Sequence, residues 1–412
     1  MADSDSIAGG SVRWARIFAA LIVLFAIAEI FSQAVVYYYA GKPFQSLTVN
    51  IWSPYGLVRN NPALTSPGFD ISPNGFRSTR DYTLNKPPHT FRVLMLGGSV
   101  LYSGLVPSVA RLSQYGRVRS DQTIAPYLEA LLRKDPAFAG INVEVINAAV
   151  NFNRIVETSA DYLEQYIKWQ PDMVIVFGSV NNFGPVRYRG DFEKGWTAIQ
   201  GMHPWRAEFD RLVLDNGLTA TFERLWRTGS EHSATLALLS KGMVSVVDAG
   251  MGMLGRIQVA PPSAGAGAPR ELETPTERAE YVQLYGGYAD AMIAAARRMG
   301  QGIAFAWEPE LGDMGAIKPL SAEEKTLYAV VHRPEDVVAQ QSESRVLFHS
   351  LFDKQGIPIV DPVDDMRHYD HTVYIDYTHY TPSGNEFVAG VTYRQLRSAF
   401  LAQLALRKDL AR

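Results

Sequence analysis

The chain has 412 residues, 47% hydrophobic and 20% charged, a balance that excludes wholesale disorder. Lys and Arg number 39 against 42 Asp and Glu, so the net charge is -3 and a strongly basic nucleic-acid binder is excluded as the default. Cysteine is absent, which removes disulfide frameworks, Cys-ligated metal or iron–sulfur sites and thiol nucleophiles.

Residues 17–39 form an apolar run whose one ionisable group before the tyrosines is Glu29. As a helix the run spans roughly 34 Å, enough to cross a bilayer. Arg13 and Arg16 precede it, and Tyr37, Tyr38 and Tyr39 close it where aromatic rings favour headgroups. The charge bias predicts a single-pass anchor through the lipid bilayer, in the cell inner membrane. Residues 1–16 then form a cytoplasmic tail, and the bulk of the chain is periplasmic or extracellular. The competing reading is a signal peptide cleaved after Ala26-Ile27-Ala28. Glu29 costs about 2–3 kcal/mol near the membrane centre unless a helix partner or a proton relieves it.

Residues 40–90 are rich in Pro, Asn, Ser and Gly and read as linker and irregular cover. Residues 91–96 are a buried-strand pattern closed by Gly97-Gly98. Ile124, Tyr127, Leu128, Leu131 and Leu132 give helical spacing over 124–134. Strand 142–147, helix 156–169 closed by Pro171, and strand 173–177 follow. Residues 184–276 break the rhythm and read as an insertion. It carries Trp196, Trp205 and Trp226, an apolar run at 243–254, and a tether-like Pro/Ala/Gly stretch at 261–269. The alternation resumes with helix 276–299, strand 303–307, helix 334–354, strand 357–360 and a final amphipathic helix 382–406. Alternating strands and helices predict an α/β fold, a three-layer α/β/α sandwich around a parallel sheet, over residues 91–412.

Functional groups gather at the carboxyl ends of parallel strands. Those ends carry Gly97-Gly98-Ser99, Asn147-Ala148-Ala149-Val150-Asn151 and Gly178-Ser179-Val180-Asn181-Asn182, and a late loop adds Asp376-Tyr377-Thr378-His379. A hydroxyl nucleophile needs a base, and the base needs an orienting group. Asp376 and His379 are spaced so that the carboxylate holds Nδ1–H, leaving the other nitrogen for Ser99. The Ser99 N–H, a backbone N–H near Ala149 and the Asn181 amide are candidate oxyanion donors. Gly-Gly-Ser here is no P-loop, since the required Lys is missing. A rival reading takes Asp364, Asp365, His368, Asp370, His371, Asp376 and His379 as metal ligands. A third takes the chain as an anchored, non-catalytic carbohydrate-binding or scaffold protein.

The set resembles the SGNH, or GDSL-like, hydrolase family, from about Asn74 to the last helix with residues 184–276 uncovered. Residues 91–100 look like the nucleophile block, 145–151 like the second block and 174–182 like the third, whose asparagine falls on Asn181. Asp376 and His379 look like the family's Asp-x-x-His. Asn74-Gly75-Phe76-Arg77, Lys318-Pro319-Leu320 and Glu323-Glu324 look like pieces of membrane-anchored members. The chain departs in having Gly-Gly-Ser for Gly-Asp-Ser, Ala149 for a glycine, and Ser-Val-Asn-Asn for Gly-x-Asn-Asp. The resemblance implies a serine esterase or deacylase working through an acyl-enzyme. Ser99, His379 and Asp376 would be its triad, and Ser99, Ala149 and Asn181 its oxyanion hole, with no cofactor and no metal. The implied substrate is an acylated small molecule or envelope glycan, beside a polysaccharide-export assembly. An O-acyltransferase using the same triad is the alternative.

Overall fold

The computed structural model describes residues 4–45, 50–53, 57–64, 66, 68–103, 118–151, 153–183, 225–226, 228–230, 232–239, 274–314, 317–331 and 335–407. Of the insertion, Trp196, Trp205 and the runs at 243–254 and 261–269 lie outside them. By internal contacts the chain divides into two units.

The larger unit covers residues 49–62, 68–208 and 268–412. Its centre is a five-stranded parallel sheet of β3 (Thr90–Gly97), β4 (Asn142–Asn147), β5 (Met173–Phe177), β6 (Gly302–Ala306) and β7 (Ile359–Val360), ordered β4-β3-β5-β6-β7. Every residue of β3 and of β5 is buried, which is why those runs are apolar rather than alternating. Parallel neighbours need crossover connections, and here the connecting helices form two packed groups about the sheet. Ile124–Lys134 packs on Pro382–Leu406, and Ile155–Glu164 packs on Pro275–Arg298, which also meets Glu335–Asp353. This is the three-layer α/β arrangement expected.

Most predicted elements hold to within a few residues. The helix expected at 156–169 is instead Ile155–Glu164 followed by a 3-10 turn, Tyr166–Trp169. Gln165 leaves helical geometry at φ -120°, ψ -57°, and breaks the run. The stretch 40–90 contains an antiparallel hairpin of β1 (Asn50–Ser53) and β2 (Leu57–Asn60). Helix Pro275–Arg298 starts where its sequence dictates. Thr274 Oγ1 accepts from Glu277 N–H (3.2 Å), Glu277 Oε2 accepts from Thr274 N–H (2.7 Å), and Pro275 fills the first turn. Such a cap contributes about 1 kcal/mol.

The chain leaves β3 to build β4 on one side, then returns to place β5 on the other. The topological switch point therefore lies between β3 and β5, where open α/β sheets bind ligands beyond the strand ends. Gly97 lies at that boundary. A Cβ on it would sit 2.0 Å from Phe177 O, so only glycine lets the two strands close here.

The smaller unit comprises residues 1–48, 63–67 and 209–267. Helix Ser4–Ala40 includes an apolar stretch, Trp14–Tyr39, long enough to cross a membrane, and most of its large side chains are exposed. Glu29 is met by residues 233–235 of the same unit. Its carboxylate accepts from Ser233 Oγ (2.6 Å), Ala234 N–H (2.8 Å), Thr235 N–H (3.0 Å) and Gln33 Nε2 (2.9 Å). Val36 and Phe44 pack there with Ala234 and Ala237.

Candidate active site

Ser99 opens a one-turn helix, Ser99–Tyr102, directly after β3, and is half-buried. Gly98 precedes it in extended geometry, φ -94°, ψ -152°. A Cβ on Gly98 would lie 2.2 Å from Asn181 Nδ2 and 2.9 Å from Asn153 O. The second glycine of the Gly-Gly-Ser turn is thus demanded by the Asn181 amide packed against it. Asn181 lies on the short helix Val180–Phe183 after β5, and its Nδ2 donates to Asn153 O at 2.9 Å. Switch-point geometry therefore brings Asn181 against the residue before Ser99.

Asp376 and His379 form the second part. Residues 373–381 fold back on themselves, with Thr381 N–H donating to Val373 O (2.7 Å) and Ile375 N–H to His379 O (2.8 Å). Asp376 Oδ1 accepts from the N–H groups of Thr378 (2.9 Å) and His379 (2.7 Å), and Oδ2 lies 2.7 Å from His379 Nδ1. Both side chains are buried. Burial alone would raise the Asp376 pKa. The hydrogen bond and charge of His379 and the two backbone N–H groups outweigh it and hold the pKa below the usual value. The pair fixes which ring nitrogen carries the proton. His379 Nε2 is buried and has no hydrogen-bond partner, so no hydrogen bond joins it to Ser99 in this state. Catalytic hydrogen bonds often tighten only when substrate is bound.

A buried ion pair supports this turn. Lys318 Nζ and Glu324 Oε2 are 2.7 Å apart, both side chains fully buried. Glu324 Oε1 accepts from the N–H groups of Val373 (2.8 Å) and Tyr374 (3.2 Å). Asn385 Nδ2 donates to Ser103 Oγ (3.2 Å), tying the last helix to the end of the Ser99 turn.

The Ala149 N–H does not point to a vacant position: it donates to Asn147 Oδ1 at 3.1 Å, in a buried loop. The next amide, Val150 N–H, donates to Gly97 O (3.0 Å). The Asn74-Gly75-Phe76-Arg77 segment braces this loop. Asn60 Nδ2 bridges Gly75 O and Ala149 O (2.8 Å each), and Arg77 N–H donates to Asn147 O (2.9 Å).

The acidic and histidine residues proposed above as metal ligands are dispersed. Asp364 pairs with Arg367 (3.1 Å) and Asp365 with Arg394 (2.5 Å). Asp370 and His371 are exposed. Among the described residues, no group of three His, Asp or Glu side chains is arranged to hold a metal ion.

Sequence reasoning overlooked Glu308, which follows β6 and accepts from Ser179 and Val180. It also overlooked Asp161 and Asn153, which sit behind Asn181. The rule that drew attention to the ends of β3, β4 and β5 would have found Glu308 had it been extended to β6. Asp161 sits inside a helix and carries no such signal.

No protein-family model matches the chain, and no curated protein does. Solved structures do. An acetylxylan esterase from Geobacillus stearothermophilus superposes with a TM-score of 0.38 at 11% identity, over 74% of this chain and 94% of that one. The acetyl xylan esterase AlAXEase gives 0.37 at 12% identity, over 74% and 98%. An alpha/beta hydrolase enzyme from the metagenome of Lake Arreo gives 0.36 at 11%, over 76% and 96%. A likeness this distant carries no argument about activity.

Proposed function

We propose that the chain is a membrane-anchored serine esterase or deacylase of the SGNH type, acting outside the cytoplasm on an acylated glycan or small ester. The observation that carries the reading is the buried Asp376–His379 pair, with Nδ1 engaged at 2.7 Å and Nε2 left without a partner. A histidine so oriented is a base awaiting a proton donor, and Ser99 is the hydroxyl that the fold presents at the switch point. Asn181 Nδ2, packed on Gly98, and the Ser99 N–H are the oxyanion donors of the proposal. With its N–H committed to Asn147, Ala149 needs a loop shift before it can join them.

In the proposed reaction His379 Nε2 takes the Ser99 hydroxyl proton as Oγ attacks the acyl carbonyl. The tetrahedral oxyanion is held by Asn181 and the Ser99 N–H. His379 then gives the proton to the departing alcohol, leaving the acyl group on Ser99. Water, deprotonated by the same imidazole, releases the acid and restores Ser99. Asp376 holds the ring and stabilises the imidazolium without taking the proton. The apolar Trp14–Tyr39 helix supports the anchor, and Arg13 and Arg16 at its start support a cytoplasmic N-terminus.

Turnover of an aryl acetate with and without a chelator tests the chemistry. We expect activity that survives chelation and disappears in Ser99→Ala. Loss on chelation would sink the serine reading in favour of a metal. Protease added to intact spheroplasts tests the anchor. It should remove the large domain and leave a fragment that retains Arg13 and Arg16, whereas a mature chain starting at Glu29 would contradict it.

A further inference from the structure

Asn181 is held by contacts that the reaction itself does not use. Glu308 stands at the carboxyl end of β6 and is 4% exposed. Its Oε2 accepts from the N–H of Ser179 (3.0 Å) and of Val180 (3.1 Å), and its own N–H donates to Ser179 Oγ (2.6 Å). The clamp therefore closes on the two residues immediately before Asn181. Its other oxygen, Oε1, is buried and has no partner. The titratable groups around Glu308 are Glu310 on its own loop, Tyr285 on helix Pro275–Arg298 and Tyr380 beyond the Asp-x-x-His turn. Among the described residues, no cation forms an ion pair with Glu308. A buried carboxyl without a counter-charge is costly, and a neutral side chain would close the same turn for less. The cost makes sense if the charge itself has work at the neighbouring site.

We propose that Glu308 is a positioning residue for the oxyanion hole, fixing the Ser179–Val180 turn so that the Asn181 amide stays over Gly98 and strengthening its hold when it ionises. The proposal rests on the reading of Asn181 as an oxyanion donor. With charge on Oε2, the two N–H bonds are charge-assisted; proton uptake at the free Oε1 reduces them to neutral ones. Burial, with the charge of Glu310 adding to it, pushes the Glu308 carboxyl up to about 7. The change therefore falls within the range where an ester hydrolase works. Asp161, pushed up to about 7 chiefly by burial, backs Asn181 from the other side by accepting from Asn153 Nδ2 (3.0 Å). Its side-chain hydrogen bonds go to Asn153 and Gln165 rather than to Ser179 or Val180, so the two carboxyls can be separated by mutation.

The test uses the full-length protein in detergent, an aryl acetate, and the variants Glu308→Ala, Glu308→Gln, Asn181→Ala and the double Glu308→Ala/Asn181→Ala. Glu308→Ala should lower kcat by about 10–100-fold with KM within about two-fold, the size of a sub-ångström to ångström misplacement. The double variant should be no slower than Asn181→Ala alone, because a residue acting through Asn181 has nothing left to position. Glu308→Gln keeps an acceptor but not the charge, so its kcat at pH 8 should fall between those of Glu308→Ala and the native protein, and the ionisation near pH 7 should leave its pH profile. Losses that multiply in the double variant would overturn the positioning role and leave the esterase reading intact. A silent Asn181→Ala would instead sink the oxyanion assignment, and the positioning role with it. A second readout is independent of turnover. In an Asp161→Asn background, which removes the other carboxyl near Asn181, the 15N side-chain amide signal of Asn181 should titrate near pH 7 and stay fixed once Glu308→Gln is added; a titration that persists in Asp161→Asn/Glu308→Gln would overturn the proposal.

Discussion

The two ends of the parallel sheet bury charge in opposite ways. At the amino end, Arg92 is fully buried and answered on every side. Its Nε meets Glu144 (2.8 Å), Nη1 donates to Trp169 O (2.7 Å) and Nη2 to Thr83 O (3.0 Å). Beside it Asp172 binds Lys86 (2.7 Å), Arg407 and the Arg92 N–H (2.7 Å). At the carboxyl end, Glu308 is surrounded by backbone N–H groups and tyrosines, with one oxygen unanswered. Asp376 accepts from two backbone amides and pairs with an imidazole. Paired charges at one end lock strand register. At the other end the carboxylates hold groups of the candidate site instead, Asp376 the His379 ring and Glu308 the turn before Asn181.

The sharpest break between the ends is functional. Asp376→Asn should leave the fold intact and lower kcat for an aryl ester by about 10⁴, because the amide stabilises the wrong imidazole tautomer. Steady-state kinetics beside a thermal melt would show it, and a loss of melting temperature in step with activity would make Asp376 structural. Arg92→Ala is the mirror image. It strands Glu144 in the interior and should cost about 3–5 kcal/mol in urea unfolding, with kcat unchanged for the protein that stays folded. A kcat loss without a stability loss would collapse the distinction.

Much of this division could be read from sequence, and its limits are instructive. The apolar runs of β3 and β5 announce buried strands because both faces are covered. Gly97 and Gly98 were visible as a turn. What they are for, close passage of Phe177 O and of the Asn181 amide, depends on contacts about 80 residues away and has no local signature. The Asp-x-x-His spacing was legible because its hydrogen bonds are local. The Lys318–Glu324 pair beneath it was visible only as two motif fragments, since its partners Val373 and Tyr374 lie far along the chain. The β1–β2 hairpin was missed because its strands are four residues each, too short to show a period among prolines and asparagines. Ala149 was expected to offer its N–H. The Asn147 side chain two residues earlier takes it, a local competition that asparagine often enters.

Titration sharpens the comparison further. Glu308 is held at about 7 when folded, against the ordinary glutamate value of 4.5. Between those values the folded chain keeps a proton that the unfolded chain releases, so stability falls as pH rises through the window, by about 3 kcal/mol. Asp376 has the opposite sign: its pKa is lowered on folding, so its contribution is present above the unfolded value and is lost as pH falls through the folded one. Urea unfolding from pH 4 to 8 should show the Glu308 decline in the native protein and a flatter curve in Glu308→Gln. Identical curves would place the raised pKa elsewhere. The smallest effect expected is at Gly98→Ala. The added Cβ must displace the Asn181 amide, and kcat should fall by about 10², the worth of one oxyanion donor. Unchanged kcat would mean that Asn181 does not act in the position observed.

The central claim is that Ser99 is the nucleophile served by His379. A fluorophosphonate probe tests it directly, because it bonds irreversibly to a serine oxygen that a neighbouring base has activated. Intact mass and peptide mapping of the labelled protein should find one adduct, on Ser99, absent from Ser99→Ala and from His379→Ala. An adduct on another serine, or on Ser99 at the same rate without His379, would contradict the account.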